Sequence, residues 1–357
     1  MIISTQKIRK AGFVLMPIVF ALLAGAVLIL FSGHNPLSAY ASLFSGAFIG
    51  RGALANTLFN ATPLIVTGLA IAVAFKANLF NMGVEGQMYI GAFAAAWVGF
   101  TFTGLPPVLH VILCMAAAAV CGGLFALIPG LLKGLLDVNE MVVTIMLNYV
   151  AVLFVDHLTN TRFYSGEGFS ATHKIAESAH IPRILPHSQL SYAFFIALLL
   201  TALVWFIFRR TVMGYEIKAM GLNVKFAEAC GMQTRKSVVK IMVLSGLLAG
   251  LAGSGEVLGV HGRFIAGFSP GYGWDGMTIA LLGQLNPIGV LVAALFFGVL
   301  KNGGSTMELM VGVPRSIISI IQGLMIFFLA VDYMNSRFEF IGKIKKRFAA
   351  LKKTEEA

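Results

Sequence analysis

Asn81, Glu85 and Gln87 stand together in KANLFNMGVEGQMYIGA, residues 76 to 92, a stretch that interrupts an otherwise apolar chain. A carboxylate and two amides can exchange hydrogen bonds with a polar solute, and hydrocarbon would reject all three. Backbone that leaves the helix at membrane depth must be packed in protein or line an aqueous cavity, because each unpaired amide group there costs several kcal/mol. The break is therefore expected to belong to a pathway. Gly83 and Gly86 supply backbone freedom. Glu85, just ahead of the apolar run from Met88 to Phe100, sits where a carboxylate favours the positive end of a starting helix. A cap held by its own helix and a group facing a solute are both open, and the two roles can coexist.

Two further constellations carry the same kind of chemistry. Glu140, Thr144 and Asn148 fall four residues apart, on one face of a helix within NEMVVTIMLNYVAVLFV. A polar stripe in a membrane helix must meet a partner helix or a pathway, and the spacing does not choose between them. The second is GFSPGYGWDGMTIALLGQLNP, residues 267 to 287, where Gly273-Trp274-Asp275-Gly276 echoes Gly83-Val84-Glu85-Gly86. An acid at the start of a discontinuous helix, repeated in inverted orientation, is how many transporters build a central site. An inverted repeat is expected from this echo, with Trp274 and Asp275 joining the pathway residues.

The elements that must position these groups are membrane helices. A chain of 357 residues that is 58% hydrophobic, 11% charged and of mean hydropathy +0.87 has too much apolar surface for a soluble core. The expected class is an all-α polytopic membrane protein with about ten crossings, discontinuous helices and inverted repeats. Counting residues 276–285 as a half-helix crossing returns the tail to the side of the N-terminus. Residues 12–32 are long enough for an anchor that stays, and the small-residue sequence Ala39-Tyr40-Ala41 lies too far beyond them for signal cleavage. The net charge of +11 is gathered at residues 1–10, 209–240 and 337–357 and at Lys76 and Lys133. That is the positive-inside pattern, which puts both termini in the cytoplasm and argues against a nucleic-acid surface.

Between these anchors the chain is expected to form one permease domain over 1–357. Residues 37–48 read as a short helix on the outer interface, and 157–190 as an extracytoplasmic connection that docks a partner. The small residues Ala116 to Ala119, Gly122 and Gly123 mark the fourth span as an interior packing helix. Residues 209–237 are too polar to cross and form a cytoplasmic segment whose Gly214, Gly221 and Gly231 separate short helices; 337–357 form a basic cytoplasmic tail. His157, His173, His180 and His187 match no compact ligand spacing, and Cys114, Cys121 and Cys230 no paired one, so neither metal nor disulfide is expected.

NLFNMGVEGQMYIGA, NEMVVTIMLNY, GYEIKAMGLNVKFAEACGM with SGLLAGLAG, and FSPGYGWDGMTIALLGQLNPIGV together resemble one group. They are similar to the permease subunits of bacterial ABC importers in the branched-chain amino acid and ribose class, nearest the nucleoside subgroup that works with receptors of the basic-membrane-protein type. The resemblance implies a type II importer fold in the inner membrane, a second related permease, two ATP-binding domains and an extracytoplasmic receptor. It places the ATPase-coupling segment at Gly214 to Gly231, with Glu216, Gly221, Asn223 and Glu228 at recognisable positions. It implies ATP-driven import of nucleosides or simple sugars by alternating access, with hydrolysis on another chain and no cofactor here. Consistently, Gly342-Lys343 runs into Ile344 with no phosphate-cradling loop ahead of it.

Two rivals differ in kind. A secondary transporter would couple to an ion gradient through Glu85 or Glu140. A membrane-embedded enzyme would need a cluster of His, Asp, Ser or Cys at one depth, and the sequence offers none. Phe80, Tyr272 and Trp274 could stack on a nucleobase or simply pack.

Overall fold

The computed structural model describes residues 2–186 and 188–338, with side chains described from 16 to 328. His187 and the basic tail beyond 338 lie outside the described residues. The described residues are helical, with isolated β-bridges but no sheet. Six helices are long and apolar enough to cross a membrane, or seven if a pair bent by 119° at residues 32–35 is one span. The chain is a multi-pass membrane protein, and among the described residues the helices Val84–Thr101, Tyr272–Leu282 and Ser316–Phe328 are apolar but shorter or less apolar than those six.

The chain divides into two compact units. The terminal unit holds α1 (Ile2–Phe31), most of α2 (Pro36–Phe48) and α13 (Ser316–Phe338). Within it Gly25 lets Ile321 approach α1, Phe20 meets Phe328 at 5.7 Å, and the Tyr40 hydroxyl donates to the Leu22 carbonyl at 2.6 Å. The short α2 buries Ala39, Leu43 and Ala47 and exposes Leu37, Phe44 and Phe48.

The central unit runs from Phe44 to Gly303. At its heart is α3 (Arg51–Lys76), buried on nearly every side from Ala61 to Phe75 because small Ala, Gly and Thr side chains let neighbours close on it. Its hydroxyls turn inward: Thr62 donates to the Leu58 carbonyl and Thr67 to that of Pro63. The unit also holds α4 (Val84–Thr101), α5 (Pro107–Leu136), α6 (Glu140–Thr161), α7 (Ala193–Arg210), α8 (Val212–Leu222), α9 (Val224–Ala229), α10 (Thr234–Glu256), α11 (Tyr272–Leu282) and the first part of α12 (Pro287–Val311), of which α4, α7, α8, α10, α11 and α12 touch α3 directly.

The closest packing is made by α10. A Cβ at Gly246 or Gly250 would overlap α5 backbone at Gly122 or Ala118, and one at Gly253 would overlap the Met88 carbonyl of α4. The face of α5 that carries Ala118, Gly122 and Ala126 is buried, while Val108, Ile112, Val120, Leu124, Leu131 and Leu135 are exposed. The fourth span is thus a peripheral helix with one small-residue face, not the interior one expected from its composition. Gly250→Leu should cost about 1–3 kcal/mol through overpacking against Ala118, read as a lower midpoint of thermal unfolding in detergent. Gly255, whose Cβ would meet only Ala193 at 3.8 Å, should accept alanine.

Candidate functional site

The first break follows from the end of α3. Asn78 adopts a left-handed backbone, φ 61°, which an asparagine tolerates. The chain then runs without helix until Gly83, the N-cap of α4. That leaves the amides and carbonyls of Phe80 to Gly86 needing partners, and the stripe on α6 supplies them. Asn148 donates to the Met82 carbonyl at 2.7 Å and accepts from the Gly86 amide at 2.8 Å. The Thr144 hydroxyl accepts from the Met82 amide at 3.2 Å, and Glu140 accepts from the Phe80 amide at 3.5 Å. Glu140 also faces Lys133 Nζ at 3.3 Å. The stripe therefore meets a partner segment, and that segment is the break itself.

Asn81 and Gln87 complete the junction from the other side. Their amides pair reciprocally at 3.0 Å, Asn81 accepts from the Gly83 amide at 3.0 Å, and it donates to Ser245 Oγ on α10 at 2.8 Å. The Ser245 hydroxyl in turn donates to the Ala70 carbonyl of α3 at 2.7 Å. All four hydrogen-bonding directions of Asn81 are used or closed, and the residue is fully buried.

The second break is joined to the first. Gly271, φ 95°, ends the loop ahead of α11. Glu85 accepts a 2.5 Å hydrogen bond from the Gly273 amide in the first turn of α11 and another from the side chain of Ser269. A Cβ at Gly273 would press on Glu85, so glycine is what admits the carboxylate. Glu85 thus stands at the start of its own helix and binds the start of the other one, where exposed amides favour an anion. Two residues on, Asp275 pairs with Lys301 Nζ of α12 at 2.7 Å, and that ammonium stands 5.2 Å from the Tyr272 ring centroid. Trp274 projects outward and is 42% exposed.

Sequence reasoning missed Ser245, Ser269, Lys301 and Glu256. Glu256 is 4% exposed and ends α10, where a five-residue π-turn (Val257–His261) follows. Such turns often mark functional positions, but a lone acid among glycines and leucines offers no spacing by which to find it.

On one side of the bundle the connection after α6 folds against the loop ahead of α11, with bridges Tyr164–Thr172 and Ala171–Ile265. Arg263 pairs with Glu167 at 2.6 Å and covers the Phe169 ring. The guanidinium holds Glu167 below the usual glutamate range. A depressed carboxylate contributes above its unfolded value and loses that contribution as pH falls through the folded value. The Arg263–Glu167 pair should therefore hold from pH 8 down to pH 5 and open only in more acid solution, read from the carbon-13 shift of the Glu167 carboxyl group.

At the other end α8 and α9 form an elbow. Gly214 and Gly221 lie inside α8 instead of separating helices: a Cβ would overlap the Ile207 carbonyl at the first and the Lys76 carbonyl at the second. The separators are Asn223, which caps α9 by accepting from the Phe226 amide at 3.1 Å, and Gly231, φ 84°. Glu216 accepts from Ser237 at 2.8 Å and Glu228 from Thr234 at 2.6 Å, tying the elbow to α10. The large apolar residues it exposes are Val212, Tyr215, Leu222, Val224 and Phe226.

Broken helices joined by a carboxylate among apolar spans, with a polar elbow at one end, are the features of a transport permease. The chain belongs to the family described as the permease component of the branched-chain amino acid transport system, whose model matches residues 53–330. It is 37% identical to the guanosine ABC transporter permease protein NupP of Bacillus subtilis, over 96% of this chain and 99% of that one. It is 34% identical to the nucleoside ABC transporter permease protein NupB of Lactococcus lactis, over 92% and 93%. It is 32% identical to the glucose ABC transporter permease protein TsgB13 of Haloferax volcanii, over 92% and 89%. The chain is an ABC transporter permease subunit, and ATP hydrolysis falls to separate subunits.

Proposed function

We propose that the chain imports nucleosides or simple sugars across the inner membrane as one half of a permease pair. The observation that carries this reading is the similarity, over nearly the whole chain, to permeases named for guanosine, nucleosides and glucose. Adding α1, α4, α11 and α13 to the six long apolar helices gives ten crossings, which returns both termini to the cytoplasm. The two acid-bearing helix starts joined through Glu85 then relate the halves as an inverted repeat around the pathway. The extended apolar faces of α5 and α6 meet lipid or a second, related permease.

In this scheme Asn81, Gln87, Glu140, Thr144 and Asn148 hold the broken segment in shape at the pathway, while Glu85, Trp274 and Asp275 line it. An extracytoplasmic receptor docks on residues 157–190. Two ATP-binding domains press on the elbow within 209–237 through Tyr215, Leu222 and Phe226, while Gly214, Glu216, Gly221, Asn223, Glu228 and Gly231 shape it. Closure of those domains favours one state of the elbow over the other, which is the differential contact any coupling requires. The basic tail, 337–357, anchors the cytoplasmic side.

The test is uptake of labelled guanosine, adenosine, uridine and glucose by cells lacking the gene. Loss of at least one solute, restored by this chain, is the expected result. Unchanged uptake of the whole panel would contradict the assignment.

A further inference from the structure

The charges at the second break do more than join helices. Lys301 lies fourteen residues beyond Pro287 in the 25-residue α12, about 21 Å along the helix axis. Its ammonium therefore emerges deep within a segment apolar enough to cross a membrane. The pair it forms with Asp275 is not sealed: the two side chains are 18% and 21% exposed. An ion pair with open surface at that depth is expelled by acyl chains, so it faces water or a polar solute. Glu256 adds a further acidic group to this part of the bundle. Its side chain is buried, with the residue 4% exposed, and His261 Nε2 lies 3.7 Å from its carboxyl group. It lies within electrostatic reach of both Lys301 and Tyr272.

Resting on the reading of the chain as an importer of nucleosides or sugars, we propose that Asp275 and Lys301 form a solute subsite for a vicinal diol. One hydroxyl of the diol donates to the Asp275 carboxylate and its neighbour accepts from the Lys301 ammonium, so the solute slips into an ion pair already made. The Tyr272 ring beside the ammonium and the exposed Trp274 indole offer apolar walls for the rest of the molecule. The subsite takes neutral solutes. A phosphorylated one would bring further negative charge beside Asp275, Glu85 and Glu256, against the single ammonium of Lys301.

The test compares ATP-dependent uptake of labelled guanosine with that of its 2′,3′-dideoxy analogue, each rate divided by the isolated receptor's affinity for that compound. The wild-type transporter should favour the diol by about tenfold beyond the receptor's own preference, since a site built to hydrogen-bond a hydroxyl rejects the analogue that lacks it. Asp275→Asn should bring that preference to within about twofold of the receptor's. Lys301→Arg keeps the ion pair and the fold but moves the donors, and it should lower the preference while membrane levels stay normal. The double change Asp275→Leu with Lys301→Met removes both charges without leaving either one alone. If it keeps the wild-type preference at normal membrane levels, the pair is only a strut and the inference falls. A wild-type transporter that carries guanosine with no preference beyond its receptor overturns the inference alone. One that carries no guanosine overturns the substrate reading beneath it.

Discussion

Gly221→Val should leave the receptor able to dock on the assembled transporter and yet cut ATP-dependent uptake by about tenfold or more. The expectation rests on where Gly221 lies. A Cβ there would overlap the carbonyl oxygen of Lys76, the last residue of α3, immediately ahead of the first break. The elbow thus touches the very backbone that begins the break, and no side chain stands between them. A branched side chain forces α8 away from that carbonyl, an overpacking of about 1–3 kcal/mol at the contact. Where a step depends on that contact, about 1.4 kcal/mol is tenfold. Lys218→Ala, an exposed change on the same helix, supplies the control and should leave uptake near wild type. Paired measurement of uptake and ATPase rate in membranes checks the claim. Full uptake by Gly221→Val would remove the elbow from the coupling path.

Asn81→Leu should be the most destabilising single change at the junction. The two side chains share their branching, but the methyl groups of leucine are bulkier than the amide, so lost hydrogen bonds and some overpacking act together. The variant leaves the Gly83 amide and both ends of the Gln87 amide without partners in a buried place. An orphaned buried group costs about 1–3 kcal/mol, so a total of about 3 kcal/mol is expected. Ser245→Ala removes one bond from Asn81 and the bond to the Ala70 carbonyl, for about 1 kcal/mol. Thermal melting of the purified complex should therefore rank wild type above Ser245→Ala and that above Asn81→Leu. Equal melting of all three would mean that water substitutes freely for the amide and that the break is wet throughout.

The first break and the stripe on α6 were legible in the sequence for one reason: amides and carboxylates stand out against an apolar background. The sequence did not show that they face each other. Only the fold brings Asn148 to the Gly86 amide, 62 positions away in the sequence. Lys301 was hidden because a cation at the end of an apolar run reads as a boundary. The helix instead continues to Val311, since Asp275 offsets the cost of carrying the charge inward. Gly214 and Gly221 misled in the opposite sense. Glycine costs about 1 kcal/mol in a helix interior, so both read as separators, whereas close backbone approach explains why they lie within one. Small residues in the fourth span announced one packed face correctly and said nothing of the other.

The central claim is that a broken, acid-joined bundle carries solute while separate ATPases drive it. Its most direct measurement is uptake of labelled guanosine into proteoliposomes holding this chain, its partner permease and the ATP-binding subunits, with the receptor outside and ATP enclosed. The account predicts accumulation that requires hydrolysable ATP and the receptor, and that falls sharply with Glu85→Leu. Accumulation by this chain alone, driven by an ion gradient with no ATPase present, would contradict it.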